Sequence, residues 1–192
     1  MPEATPDPVL FLDIDDVLCL NTIYGSYDVV SALQGVHPFP DDVFEKAFDS
    51  RACEVLAGVH SAMGGQLQYV ISSTWRESFD EEQMREVFRR TGIGFVGRAL
   101  HARWCTPIRP ESGRRVDDIA AWLDRWHAGE SFAILDDDYS GYSLAPAITV
   151  GGHPFHGRVV LCQEKVGLLT EHSATLIEAL RSPVIGPRGS QE

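Results

Sequence analysis

Two short apolar runs that end in carboxylates constrain this chain more than anything else in it. Val9–Asp15 reads VLFLDID, Ser131–Asp137 reads SFAILDD, and each is followed by one more aspartate, Asp16 and Asp138. Continuous apolar runs of this length suit strands buried on both faces of a parallel sheet. In an open sheet of that kind, ligands bind beyond the carboxyl ends of the strands, near the point where the strand order reverses. Carboxylates gathered at one rim repel one another and lose hydration. A cation is needed to hold them together, and hard oxygen ligands suit magnesium. One acidic strand end can be accidental; two point to a site.

The rest of the chain supports a sheet of this type. Gln68–Ser73 (QYVISS), Gly94–Ala99 (GFVGRA) and Arg158–Cys162 (RVVLC) read as further strands. Between them, Ser50–Met63, Asp80–Arg90, Val116–Trp126 and His172–Leu180 carry apolar residues at helical spacing. Asp80 is a cap candidate, with acidic residues early and Arg89-Arg90 late, as the helix dipole favours. Alternating strands and helices predict a three-layer α/β sandwich around a mainly parallel, Rossmann-like sheet. We expect one domain over residues 1–192. Residues 19–49, rich in Gly, Asp, Tyr and Pro, break the rhythm and read as a loop or a small flap inserted into it. The ends, 2–8 and 182–192, are expected to fray.

At 192 residues with a net charge of -12, the chain has length for a well-buried core and an acidic surface. That charge opposes broad, sequence-independent nucleic-acid binding, which needs Lys and Arg, but leaves room for a local basic pocket. The first twenty residues lack a basic n-region, and no run approaches the ~20 apolar residues of a membrane span. Cys19, Cys53, Cys105 and Cys162 are widely spaced with no CxxC pair, and read as buried small hydrophobes of a cytoplasmic protein.

If the strand stays extended, the single-residue gap in Asp13-Ile14-Asp15 lets both carboxylates point to one site while Ile14 packs away. One of them can attack a metal-bound electrophile, and the other can protonate the leaving group and then activate water. FLDIDDVL resembles the first motif of the haloacid dehalogenase-like hydrolase superfamily. The SST of YVISSTWR resembles its second, phosphate-binding motif, and AILDDD its fourth, acidic motif. ISSTWR, RRVDDIAAWL, LDDD and the late GLLTE resemble, more narrowly, the small phosphatase-like domains of that superfamily associated with RNA-repair proteins.

The resemblance implies a magnesium-dependent phosphohydrolase with Asp13 as nucleophile and Asp15 as general acid/base. The metal would be held by Asp13, the backbone carbonyl of Asp15, Asp136 and Asp137. Ser72 or Ser73 would bind phosphate, with Ser72 preferred. A basic third-motif residue is also implied. The only lysines, Lys46 and Lys165, lie outside the expected interval. An arginine must therefore serve, Arg115 in preference to Arg114. Many relatives have glycine where this chain has Asp16, a residue that tolerates turns.

Weaker signals surround this set. Trp75 and Arg76 could contact a base or sugar, or else pack at a helix start and pair at the surface. His153 and His156 lack a third metal ligand, and GIGFVG at 92–97 reads as a turn. With no room for a large cap, the expected substrate is phosphorylated, a nucleotide or a bulky molecule such as a nucleic-acid end or a protein, with no membrane partner. The competing readings are a catalytically idle binding or regulatory domain and a receiver-like domain phosphorylated on Asp13.

Overall fold

In the computed structural model, which describes residues 6–36, 38–109 and 113–184, five parallel strands form one sheet in the order β3-β2-β1-β4-β5. The chain begins in the middle with β1 (Val9–Leu12), all four residues buried. Two helices follow, α1 (Ser26–Gln34) and α2 (Val43–Ala47), and then α3 (Ser50–Ala62), capped by the Asp49 carboxylate. β2 (Gln68–Ile71) pairs with β1, and α4 (Glu81–Arg90) and α5 (Gly94–Arg98) lead to the edge strand β3 (Leu100–Cys105). The chain then crosses back. Helix α6 (Arg115–Trp126) precedes β4 (Phe132–Asp137), which pairs with the other side of β1. The short α7 (Pro146–Thr149), β5 (Val159–Cys162) and α8 (Ser173–Arg181) complete the order. The reversal between β1 and β4 is the switch point, and both expected acidic strand ends lie there.

Alternation along β1 divides the core. Leu10, Leu12 and Ile14 join Leu56, Val87 and Leu176 on one side of the sheet, while Val9 and Phe11 join Ile119 and Trp122 of α6 on the other. Helices therefore cover both faces, giving the three-layer sandwich. Among the described residues no helix is long and apolar enough to cross a membrane.

Two expectations need correction. Gly94–Ala99 is helical over Gly94–Arg98, and the third strand is Leu100–Cys105. Lying at the sheet edge, that strand buries Leu100 but exposes Ala102 and Arg103, and its pairing with β2 is irregular. It has no apolar run to read. Gly97 in that helix lets α4 pass close behind, where an added Cβ would sit 3.3 Å from the Arg85 backbone. Residues 19–49 are an insertion but not simply a loop, since they carry α1 and α2, and Val29, Val43, Ala47 and Phe48 enter the core. Of the ends expected to fray, residues 2–5 and 185–192 lie outside the described residues.

Candidate active site

The β1–β4 ladder sets the centre. Leu12 pairs with Leu135, and the Asp13 N–H continues the ladder by donating to the Leu135 carbonyl at 2.9 Å. Asp13 thus lies beside Asp136 at the sheet rim, on the α6 side of the sheet. Asp13, Asp136 and Asp137 are all buried, and one carboxylate oxygen from each lies within 4.8 Å of the others. Arg115, at the start of α6, bridges two of them, with Nε 2.8 Å from Asp136 Oδ2 and Nη2 3.3 Å from Asp13 Oδ1. Its neighbour Arg114 points to solvent, 3.8 Å from Asp117.

Burial and the mutual repulsion of these carboxylates dominate their titration. Asp13 is held well above the ordinary carboxylate value, by burial first and Asp136 next, against the opposing pull of Arg115. Burial also lifts Asp136, to about 6, again opposed by Arg115. A single guanidinium does not neutralise the cluster. The Arg115 Nε contact with Asp136 Oδ2 is an ion pair without hydrogen-bond geometry, so that buried oxygen keeps capacity for a further partner. This donor set of three hard, crowded carboxylates fits a divalent cation.

A turn behind the cluster fixes its geometry. Asp137 Oδ1 accepts from the backbone N–H groups of Tyr139 and Ser140 at 2.7 and 2.9 Å. The Ser140 hydroxyl donates to Asp136 Oδ1 at 2.9 Å and also touches Asp137. Gly141 is required there, because a Cβ would meet the Asp137 carbonyl at 2.4 Å. Nothing in the sequence patterns singled out Ser140; its only signal is its place four residues after Asp136 in DDDYSG.

Asp15 is not one of the three clustered carboxylates. The strand ends at Leu12, and the chain turns so that the Asp16 N–H donates to the Cys19 carbonyl. The Asp15 carboxylate is held by neutral donors instead, the Trp75 indole N–H at 3.0 Å and the Asn21 amide at 3.3 Å. Burial raises its pKa, and these two bonds oppose the rise. Asn21 went unnoticed in the sequence, and the indole bond spans sixty residues of chain. Asp16 takes the left-handed backbone that glycine would ease, at φ 54°, and its carboxylate accepts from the Lys165 N–H. The late GLLTE closes the same turn, with the Leu168 N–H bonded to the Val17 carbonyl.

The second-motif hydroxyls divide. Ser73 lies against Asp13, its hydroxyl hydrogen-bonding to that carboxylate. Ser72 Oγ is buried with no hydrogen-bond partner among the described residues. Trp75 is buried between Phe48 and Phe79, so it does not offer a free face to a base. Arg76 makes neither a surface pair nor an open contact. Buried, it donates to the carbonyls of Ser72 and Ser73 and pairs with Asp118 at 2.8 Å, stapling the second-motif turn to α6. Among the described residues, His153 and His156 make local bonds, to the Phe155 N–H and the Ala147 carbonyl. The four cysteines form no disulfide.

A parallel sheet with crowded carboxylates at its switch point and a basic residue across them is consistent with a haloacid dehalogenase-like domain. More narrowly, residues 9–173 match the family described as the HAD domain in Swiss Army Knife RNA repair proteins, and the chain belongs to that family. No curated protein and no solved structure matches it.

Proposed function

We propose that the chain is a magnesium-dependent phosphomonoesterase acting through an aspartyl-phosphate on Asp13, with a nucleotide or a phosphorylated nucleic-acid end as substrate. The observation that carries this reading is the split between two aspartates separated by a single residue. Asp13 sits in a charged cluster bridged by Arg115, and Asp15 stands outside it on neutral donors. The family's association with RNA repair supports the substrate class.

An Asp13 oxygen attacks phosphorus as the bond from phosphorus to the leaving oxygen breaks. Asp15 gives its proton to that oxygen, then takes a proton from the water that attacks the aspartyl-phosphate and frees Asp13. Arg115 and the second-motif turn stabilise the phosphoryl oxygens where charge develops. Ser73, already against Asp13, is the better placed of the two hydroxyls. Asp13, Asp136, the Asp15 carbonyl and Asp137, directly or through water, would hold magnesium, which when bound neutralises the phosphoryl charge. The 19–49 insertion serves as a small cap.

Release of phosphate from p-nitrophenyl phosphate, with magnesium or with chelator, tests the reading. We expect metal-dependent turnover that Asp13→Asn lowers by at least about 10³-fold with the fold intact. Turnover that ignores both the chelator and the substitution overturns the mechanism. No turnover in either protein would instead favour the idle binding domain.

A further inference from the structure

A cleft of about 700 Å³ opens from the catalytic cluster along the α6 side of the sheet rim. Its inner wall is Arg115 and Ser140, which both touch the clustered carboxylates; its outer wall includes Tyr139, Tyr142 and Ile108. That volume suits a ligand of nucleotide size. Tyr139 is 77% and Tyr142 61% exposed, so neither ring serves the core. Scattered exposed aromatics need no explanation, but two on one cleft that runs into a catalytic centre do.

Their placement is not loose. The Tyr139 N–H is bonded to Asp137 Oδ1, and the Gly141 N–H to the Asp137 carbonyl. Tyr142 opens the 3-10 turn Tyr142–Leu144, which Ser143 ties to α6 by accepting from the Val116 N–H. The turn that orders the carboxylates therefore also anchors the backbone from which both tyrosines project.

We propose that this cleft is the leaving-group subsite, and that Tyr139 and Tyr142 form a platform for the base of a nucleoside monophosphate unit. The inference rests on the phosphatase reading and adds the recognition to it. Stacking on tyrosine suits any base, because every base has a π-face. The cleft's charge narrows the ligand further. Its lining is mixed, Glu77, Asp118 and Asp138 against Arg76, Arg109 and Arg115, so it is not a uniformly basic groove for a polyanion, and its carboxylates offer acceptors to base N–H groups. A single phosphate enters at Arg115 and the base lies outward. The smaller cleft of about 320 Å³ beside Trp75, with exposed Tyr27 on its rim, is the rival position.

The test compares wild type, the double variant Y139A/Y142A, Y139F/Y142F and Tyr27→Ala. Turnover with magnesium is measured on adenosine monophosphate, ribose 5-phosphate and a 5′-phosphorylated trinucleotide. Wild type should prefer adenosine monophosphate over ribose 5-phosphate in kcat/KM by about 10- to 100-fold. Y139A/Y142A should lose that ratio and Y139F/Y142F keep it. A wild-type ratio near one, a ratio retained in Y139A/Y142A, or a ratio lost in Tyr27→Ala instead, overturns the proposal. Preference for the trinucleotide over the mononucleotide assigns the unit to a strand end, and the reverse assigns it to a free nucleotide.

Calorimetric titration of adenosine monophosphate and ribose 5-phosphate into Asp13→Asn, with and without Y139A/Y142A, separates the two readings. If nothing is hydrolysed, the phosphatase reading falls. Tighter binding of the nucleotide that disappears with the tyrosines still supports the platform, and equal binding of both ligands removes it.

Discussion

Asp13 and Asp15 are two residues apart in sequence and are kept by different means. Asp13 touches a guanidinium and faces two further carboxylates, all buried. Asp15 touches an indole N–H and an amide. Burial raises both pKa values, but of the two Asp13 alone belongs to a donor set able to take a metal and touches a cation, and a divalent ion bound there would keep it anionic, as the proposed attack requires. Asp15 has no such contact, and Asp16 and Asp137 push its pKa further up. A carboxyl that protonates easily suits a proton carrier. Neighbouring positions meet different surroundings when a strand ends between them and one side chain follows the turn.

Asp15→Asn should have the largest effect on this comparison. It should slow hydrolysis of an alkyl phosphate by about 10³-fold, in the range general acid–base groups supply. The loss on p-nitrophenyl phosphate should be far smaller, because that leaving group departs without a proton. Steady-state kcat/KM on the two substrates, which reports on formation of the aspartyl-phosphate and not on its hydrolysis, checks this, and equal losses would remove Asp15 as the acid for the leaving group.

The charged side is tested by Arg115→Ala against Arg114→Ala. Removing Arg115 leaves buried carboxylates uncompensated, which should lower the stability of the metal-free protein by about 3 kcal/mol. Added magnesium should recover part of it. Arg114, more than half exposed and 3.8 Å from Asp117, should change stability by no more than about 0.5 kcal/mol. Urea denaturation with chelator and with magnesium measures both. Equal effects would mean that the cluster does not depend on the bridging guanidinium.

What was legible in the sequence follows the same physics. Strands β1 and β4 are buried on both faces, so their apolar runs and terminal carboxylates stand out, and Arg115 could be found because lysine is absent from the interval. Strand β3 was misplaced because an edge strand that buries little carries little pattern. Helices α1 and α2 were hidden by the Gly, Pro and Asp residues around them. Ser140 and Asn21 act from turns, where identity is set by local geometry and not by a periodic pattern. The indole bond to Asp15 links β1's turn to the residues after β2, a contact that exists only once parallel pairing has brought those strand ends together.

That bond carries the smallest expected effect. Trp75→Phe keeps an aromatic ring against Phe48 and Phe79 but removes the N–H that favours ionised Asp15. With that donor gone, the Asp15 pKa should rise further. The first chemical step needs Asp15 protonated, so kcat/KM falls as pH passes its pKa; a higher pKa keeps the acid form to higher pH. The alkaline limb of the kcat/KM profile should therefore move upward, while the loss at the optimum stays below about tenfold. Asn21→Ala should move the limb the same way, since its amide also favours the ionised form. A tryptophan acting only as packing would lower stability and leave the limb where it was. A limb that stays fixed in both variants would break the contrast between a charge-held nucleophile and a neutrally held proton carrier.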